Sequence, residues 1–141
     1  MSSPPKDKQF IVGQLILSPI GKVVKEDGKT MIVLHEQFTP GLYGLEKHSH
    51  VTVVYWFDRN DTQAKRAILR VHPRGRKEIP LTGVFATHSP VRPNLIAISK
   101  CNIISVRENI IEIEGIDAFD GSPVLDLKGD FFDFNPEYQS P

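Results

Sequence analysis

The feature that most constrains the fold is a succession of short β-branched and aromatic runs, separated by turn residues and lacking any helical period. The clearest run, Val51-Thr-Val-Val-Tyr-Trp-Phe57, contains only β-branched and aromatic side chains, which suit a pleated and packed surface. Phe10–Leu17, Lys22–Lys25, Met31–His35, Ala67–His72 and Gly83–Thr87 read as further extended segments. Leu95–Val106, Asn109–Glu114 and Pro123–Lys128 complete the series. Asp27-Gly28 is a hairpin signal, because both positions tolerate positive φ, and Glu108-Asn109 marks a second turn. Phe38–His50 carries Pro40, Gly41 and Gly44 and reads as a loop with one helical turn near Tyr43–Lys47. Asn60 or Asp61 is the candidate cap of a further short helical turn. Many short strands at close spacing predict an all-β chain, a small closed or nearly closed β-barrel with little helix.

The chain has 141 residues, of which 40% are hydrophobic and 24% charged. That suffices for one domain with a core of its own. The expected organisation is a polar, flexible lead over 1–9, one barrel domain over 10–130 and a tail over 131–141 carrying Phe131-Phe132-Asp133-Phe134. No apolar run is long enough for a membrane-spanning helix, and the first residues lack the apolar centre of a signal peptide. A single cysteine, Cys101, excludes an internal disulfide. These features predict a soluble, cytoplasmic protein with no membrane partner.

Several chemistries lack the residues they need. His48 and His50 share one side of an extended segment, but His35, His72 and His88 have no zinc-ligand spacing with them, so no metal site is expected. Cys101 lies inside an apolar strand, where a buried structural thiol is the simpler reading than a nucleophile. No serine occupies a nucleophile elbow and no glycine-rich phosphate loop is present.

Two features remain. Lys65, Arg66, Arg70, Arg74, Arg76 and Lys77 form a basic cluster, opposed nearby only by Asp61 and Glu78. Such a cluster grips phosphates even when the net charge is zero, although the same residues also describe an ordinary solvated face. The second feature is a pair of loops. In Thr87-His-Ser-Pro-Val-Arg-Pro-Asn94, Pro90 and Pro93 fix their own φ and push Ser89 and Arg92 out of helical geometry. Polar groups held on a stiff loop lose less entropy on binding. In Gly115–Pro123, Asp117 and Asp120 flank Ala118 and Phe119, which places carboxylates beside an aromatic ring.

The stretch Gly83-Val-Phe-Ala-Thr-His-Ser-Pro-Val-Arg-Pro-Asn94 closely resembles the signature of the TsaA-like, TrmO/YaeB-type family. Ser18-Pro-Ile-Gly21, Gly41-Leu-Tyr-Gly-Leu-Glu46, Ser49-His50, Tyr55-Trp-Phe57, His72-Pro-Arg-Gly75 and the segment Gly115–Asp126 agree in order and spacing. The resemblance runs from about Leu17 to Lys128. It implies a small β-barrel that binds S-adenosylmethionine, as a homodimer with the cofactor near the subunit interface. The activity it implies is N6-methylation of (threonylcarbamoyl-)adenosine 37 in the tRNA anticodon loop, with tRNA and not DNA as partner. Carried over by position, the cofactor contacts fall on Asp58, Arg59, His88, Ile98, Asp117, Ala118, Phe119 and Asp120. Arg92 and Asn94 match the family's loop and shape it or reach the ligand. The basic cluster then meets tRNA phosphates. No catalytic residue is assigned; Asp117 and Asp120 are the candidates for accepting the displaced proton.

Some positions depart from the family pattern. His88 stands where arginine is usual, Val91 where histidine or an aromatic stands, Leu95 and Ala97 where proline and glycine stand, and Asp58 where histidine is common. A Pro-Arg-Gln segment between the first strands is absent, since Lys25–Lys29 is a tight turn. Arginine to histidine exchanges a permanent bidentate donor for a titratable one. These departures keep open an alternative, a divergent barrel of the same fold that binds a ligand or RNA without catalysis.

Overall fold

The structure, a computed structural model, describes residues 13–130. Eight strands are present among them: β1 (Gly21–Glu26), β2 (Lys29–Leu34), β3 (His50–Trp56), β4 (Arg70–Val71), β5 (Thr82–Gly83), β6 (Ile96–Arg107), β7 (Ile110–Glu114) and β8 (Pro123–Gly129). Six of them close into an antiparallel barrel in the order β1-β2-β7-β6-β3-β8. The expected all-β barrel with little helix is therefore the fold. One α-helical turn, Gln63–Arg66, and several 3₁₀ turns make up the rest of the regular structure.

Period-two alternation builds the interior. On β3, Val51, Val53 and Tyr55 are buried while His50, Thr52, Val54 and Trp56 are half-buried between them. On β6, Ala97 and Cys101 face inward between exposed Ile96, Ile98, Lys100 and Asn102. Val23, Ile32, Ile111, Ile113 and Val124 complete a continuous core. The β1–β2 hairpin turns at Asp27 and Gly28, with φ of 52° and 74°, as an Asp-Gly pair favours.

Four expectations are corrected. The first concerns the run Phe10–Leu17. Its residues 10–12, the lead over 1–9 and the tail 131–141 lie outside the described residues. Gly13–Leu17 forms no strand, and Leu15 and Ile16 are each 91% exposed. The reason is closure: β1 is already paired to β2 on one side and to β8 on the other, so no open edge remains there for a preceding strand. The second and third concern Ala67–His72 and Gly83–Thr87. These are extended only at Arg70–Val71 and Thr82–Gly83, which pair into a two-stranded ribbon outside the barrel. Val84–Ala86 turns as a 3₁₀ segment, and the Thr87 hydroxyl donates to the Val84 carbonyl. The fourth is the helix cap, which is Thr62, whose Oγ1 accepts from the Lys65 amide at 3.1 Å. The loop after β2 holds two 3₁₀ turns, Glu36–Leu42 and Leu45–Lys47.

Candidate functional site

Antiparallel pairing brings the end of β3 beside the start of β6, with Tyr55 opposite Ala97 and Trp56 opposite Ile96. The chain between them, residues 57–95, is an excursion that must fold back over that end of the barrel. The loop between β7 and β8 reaches the same end, and between the two lies a cleft of about 1030 Å³.

The excursion is stiffened from within. Arg92 Nη1 lies within 3.3 Å of the carbonyl oxygens of Val84, Thr87 and Ser89, drawing the loop around its own guanidinium. Ser89 N donates to Thr87 Oγ1 and Val91 N to Ser89 Oγ, so short side chains replace absent backbone partners. Arg66 ties the same loop to the α-helical turn: Nε donates to the Pro93 carbonyl at 2.8 Å and Nη2 to Asn94 Oδ1 at 3.2 Å. Its Nη1 meets Asp61, whose other oxygen accepts from Trp56 Nε1. Asn60 Nδ2 donates to the Pro90 carbonyl, and Lys65 Nζ to Asn60 Oδ1. The two prolines set the loop's shape and these bonds fasten it to the barrel.

Nearly every residue carried over for the cofactor lines this cleft. Asp58, Arg59 and His88 are exposed at its edge, with Arg92 and Asn94 along the excursion. Ile98, Asp117, Ala118 and Phe119 line it from β6 and the β7–β8 loop. Arg59 Cζ sits 3.8 Å from the centre of the Phe119 ring, a cation–π contact that links the two loops across the opening. Asp120 is not part of the lining. Its Oδ1 accepts from the Lys25 amide at 2.8 Å and fastens the β7–β8 loop to β1.

The basic cluster divides. Lys65 lines the cleft. Arg66 is spent on the loop bonds already described. Arg70 lies on the ribbon, and Arg74 and Arg76 follow in the turn that joins its strands, with Lys77 beyond. A backbone hydrogen bond at Glu78, and after it the Arg76 guanidinium at 2.6 Å, hold the Glu78 carboxyl below its usual range. Arg70, Arg74 and Lys77 are exposed and, among the described residues, make no side-chain bond.

The floor holds residues that sequence reasoning missed. Tyr55 and Ser99 project inward from adjacent strands, and Tyr55 Oη lies 3.2 Å from Ser99 Oγ. Burial raises the Tyr55 pKa; the Ser99 bond opposes this, and the Asp117 and Cys101 charges add to it. Ser122, only 3% exposed, also lines the cleft. The available signal was a serine in the inward row of β6, between Ala97 and Cys101. Cys101 itself is fully buried, and burial pushes its thiol up to about 11, so it is no thiolate at neutral pH. Among the described residues no three His, Cys, Asp or Glu side chains gather as metal ligands, and no helix is long and apolar enough to cross a membrane.

Comparison with known proteins places this geometry. The family described as tRNA-methyltransferase O N-terminal domain matches residues 16–134. A probable S-adenosyl-L-methionine-binding protein of Methanocaldococcus jannaschii is 43% identical over 112 residues, 79% of this chain and 89% of its own length. An S-adenosyl-L-methionine-binding protein of Archaeoglobus fulgidus is 38% identical, covering 81% of this chain and 88% of that protein. A mouse tRNA (adenine(37)-N6)-methyltransferase is 37% identical over 71% of this chain and 22% of the mouse protein. The crystal structure of TrmO from Pseudomonas aeruginosa matches with a TM-score of 0.62 and 26% identity over 84% of this chain. This chain spans 56% of that longer one. A family match over most of the chain, on a six-stranded barrel whose motif loops enclose one cleft, leads to one conclusion: the chain belongs to the tRNA-methyltransferase O N-terminal domain family, a family of S-adenosylmethionine-dependent tRNA methyltransferases.

Proposed function

We propose that the cleft binds S-adenosylmethionine and that this chain methylates N6 of adenosine 37, in its threonylcarbamoyl form, in the anticodon loop of tRNA. The supporting observation is the convergence of Asp58, Arg59, His88 and Asp117–Phe119, from three distant segments, on one cleft of about 1030 Å³. That space suits a nucleoside-sized cofactor with room for an incoming base. Its edge offers carboxylates at Asp58 and Asp117 for a cationic ligand group, and cations at Arg59 and Lys65 for an anionic one.

When bound, the cofactor supplies an activated methyl group on a sulfonium. The residues of this chain have mainly to orient and to handle one proton. The stiff excursion, held by Arg92 and Arg66, keeps the walls in place before ligands arrive, so binding energy is not spent on ordering them. Asp117 is the proposed proton acceptor, since it lines the cleft while Asp120 is engaged by Lys25. Anticodon-loop bases are accessible without opening a duplex. Arg70, Arg74 and Lys77 are the proposed phosphate contacts around the cleft. Work on tRNA in this way belongs in the cytoplasm.

We further propose a homodimer. Phe85, Ile98 and Phe119 are 79%, 53% and 53% exposed around the cleft, an apolar rim of the kind that marks a contact surface.

Calorimetric titration with S-adenosylmethionine tests the core of this reading. Saturable binding followed by methyl transfer to total tRNA is the expected result. No heat at millimolar ligand would remove the cofactor assignment, and binding without transfer would favour the non-catalytic barrel.

A further inference from the structure

We infer that the buried floor of the cleft, Tyr55 with Ser99 together with Ser122, reads the edge of a purine base through neutral hydrogen bonds. The inference rests on the cofactor reading above and assigns the inner end of that same cleft.

Ser122 is the residue that points there. It is 3% exposed yet lines the cleft. Its backbone is already engaged in the fold, since its N–H donates to the Phe119 carbonyl at 3.0 Å and its carbonyl accepts from the Val23 amide at 2.9 Å. Any residue's backbone supplies those bonds. The hydroxyl has no hydrogen bond among the described residues. A buried hydroxyl without a partner is destabilising, and alanine would fill the same space without that cost. Such a group is explained when a ligand completes it.

Tyr55 supplies a second neutral group to the same cleft. Its side chain is buried, its hydroxyl is bonded among the described residues only to Ser99, and burial raises its pKa further above the neutral range. As a neutral hydroxyl beside the Ser99 hydroxyl, it offers a ligand a hydrogen bond as donor or acceptor and is no base.

The composition of the cleft changes with depth. Its exposed edge carries Asp58, Arg59, Lys65 and His88. Its buried part carries only small or neutral side chains: Ala97, Ala118, Ser122 and Tyr55, each about 3% exposed. Charged ligand groups belong at the edge, where water shares their solvation, and a flat neutral ring belongs at the buried end. Hydroxyls that both donate and accept match an edge with an amino donor beside a ring-nitrogen acceptor, as adenine has.

Such a base has two sources, the cofactor and the target nucleotide, and the test separates them. Tyr55→Phe and Ser122→Ala are compared with the unaltered full chain. In one arm, calorimetry without RNA compares S-adenosylhomocysteine with its 6-deamino analogue, whose purine carries hydrogen in place of the amino group and so loses a hydrogen bond. In the other, an anticodon stem–loop with adenosine at the target position is compared with one bearing purine riboside, which lacks the same amino group. The unaltered chain is expected to prefer the adenine ligand about tenfold or more in one arm. Each variant is expected to lose most of that preference while its Tm stays within a few degrees. A changed first arm assigns the cofactor's base, and a changed second arm the target's. Equal weakening of both members of a pair, or an intact preference in both variants, overturns the inference. Should Tyr55→Phe fail to fold, Ser122→Ala decides alone. If the unaltered chain binds neither homocysteine compound, the cofactor reading falls as well. If it binds them and the variants keep its preference, only the inference falls.

Discussion

Gly21 pairs with Leu34 on one side and Val124 on the other, and a Cβ at this position would lie 2.3 Å from the Val33 carbonyl oxygen. Backbone, not a pliable side chain, occupies that space, so even alanine must push strands apart at the point of closure. Gly21→Ala is expected to lower stability by about 1–3 kcal/mol, read as a shift of the urea midpoint. An unchanged midpoint would mean that this corner yields freely. The two loop aspartates make a second contrast at the same scale. Asp117→Ala is expected to slow methyl transfer about a hundredfold or weaken the cofactor complex. Asp120→Ala is expected to leave both near the unaltered values and to lower stability by about 1 kcal/mol or less, since it removes an exposed bond to Lys25. In the sequence these residues look alike, both acidic and both beside Ala118-Phe119. Only the approach of β1 to the loop distinguishes them.

The excursion between β3 and β6 shows how far an element can be read in advance. Pro90 and Pro93 announce a stiff loop, because their effect on φ is local. The inward turn of Arg92 and the reach of Arg66 to the Pro93 carbonyl are not local, and no count of charges reveals them. The basic cluster therefore overstated its free cations: Arg66 builds the loop and Arg76 is paired with Glu78. A double reversal, Arg70→Glu with Arg74→Glu, is expected to weaken tRNA binding and reduce the salt slope by about two. Arg76→Glu is expected to act less strongly. Filter binding over a range of salt concentrations measures both, and equal effects of the two changes would put Arg76 back among the phosphate contacts.

For the molecule as a whole, closure is the organising event. It uses both edges of every barrel strand, leaves Leu15 and Ile16 exposed rather than paired, and gathers two separated loops at one end. The apolar rim there leads to an expectation for assembly. Sedimentation is expected to show a dimer at micromolar concentration, and Phe85→Glu is expected to shift it toward monomer without lowering Tm. A monomer at every concentration would leave the rim to the RNA alone.

By itself the sequence determined the all-β class, the Asp27-Gly28 turn and the stiffness of the proline loop. Each of these follows from side-chain periodicity or from the φ preference of a residue and its neighbour, which are properties of a short window. Tertiary structure alone decided which strands close the barrel, which cations remain free, which aspartate faces the cleft, and that Tyr55, Ser99 and Ser122 share its floor. Those outcomes depend on register between segments tens of residues apart, as when Tyr55 is set opposite Ala97, and no local pattern encodes that pairing.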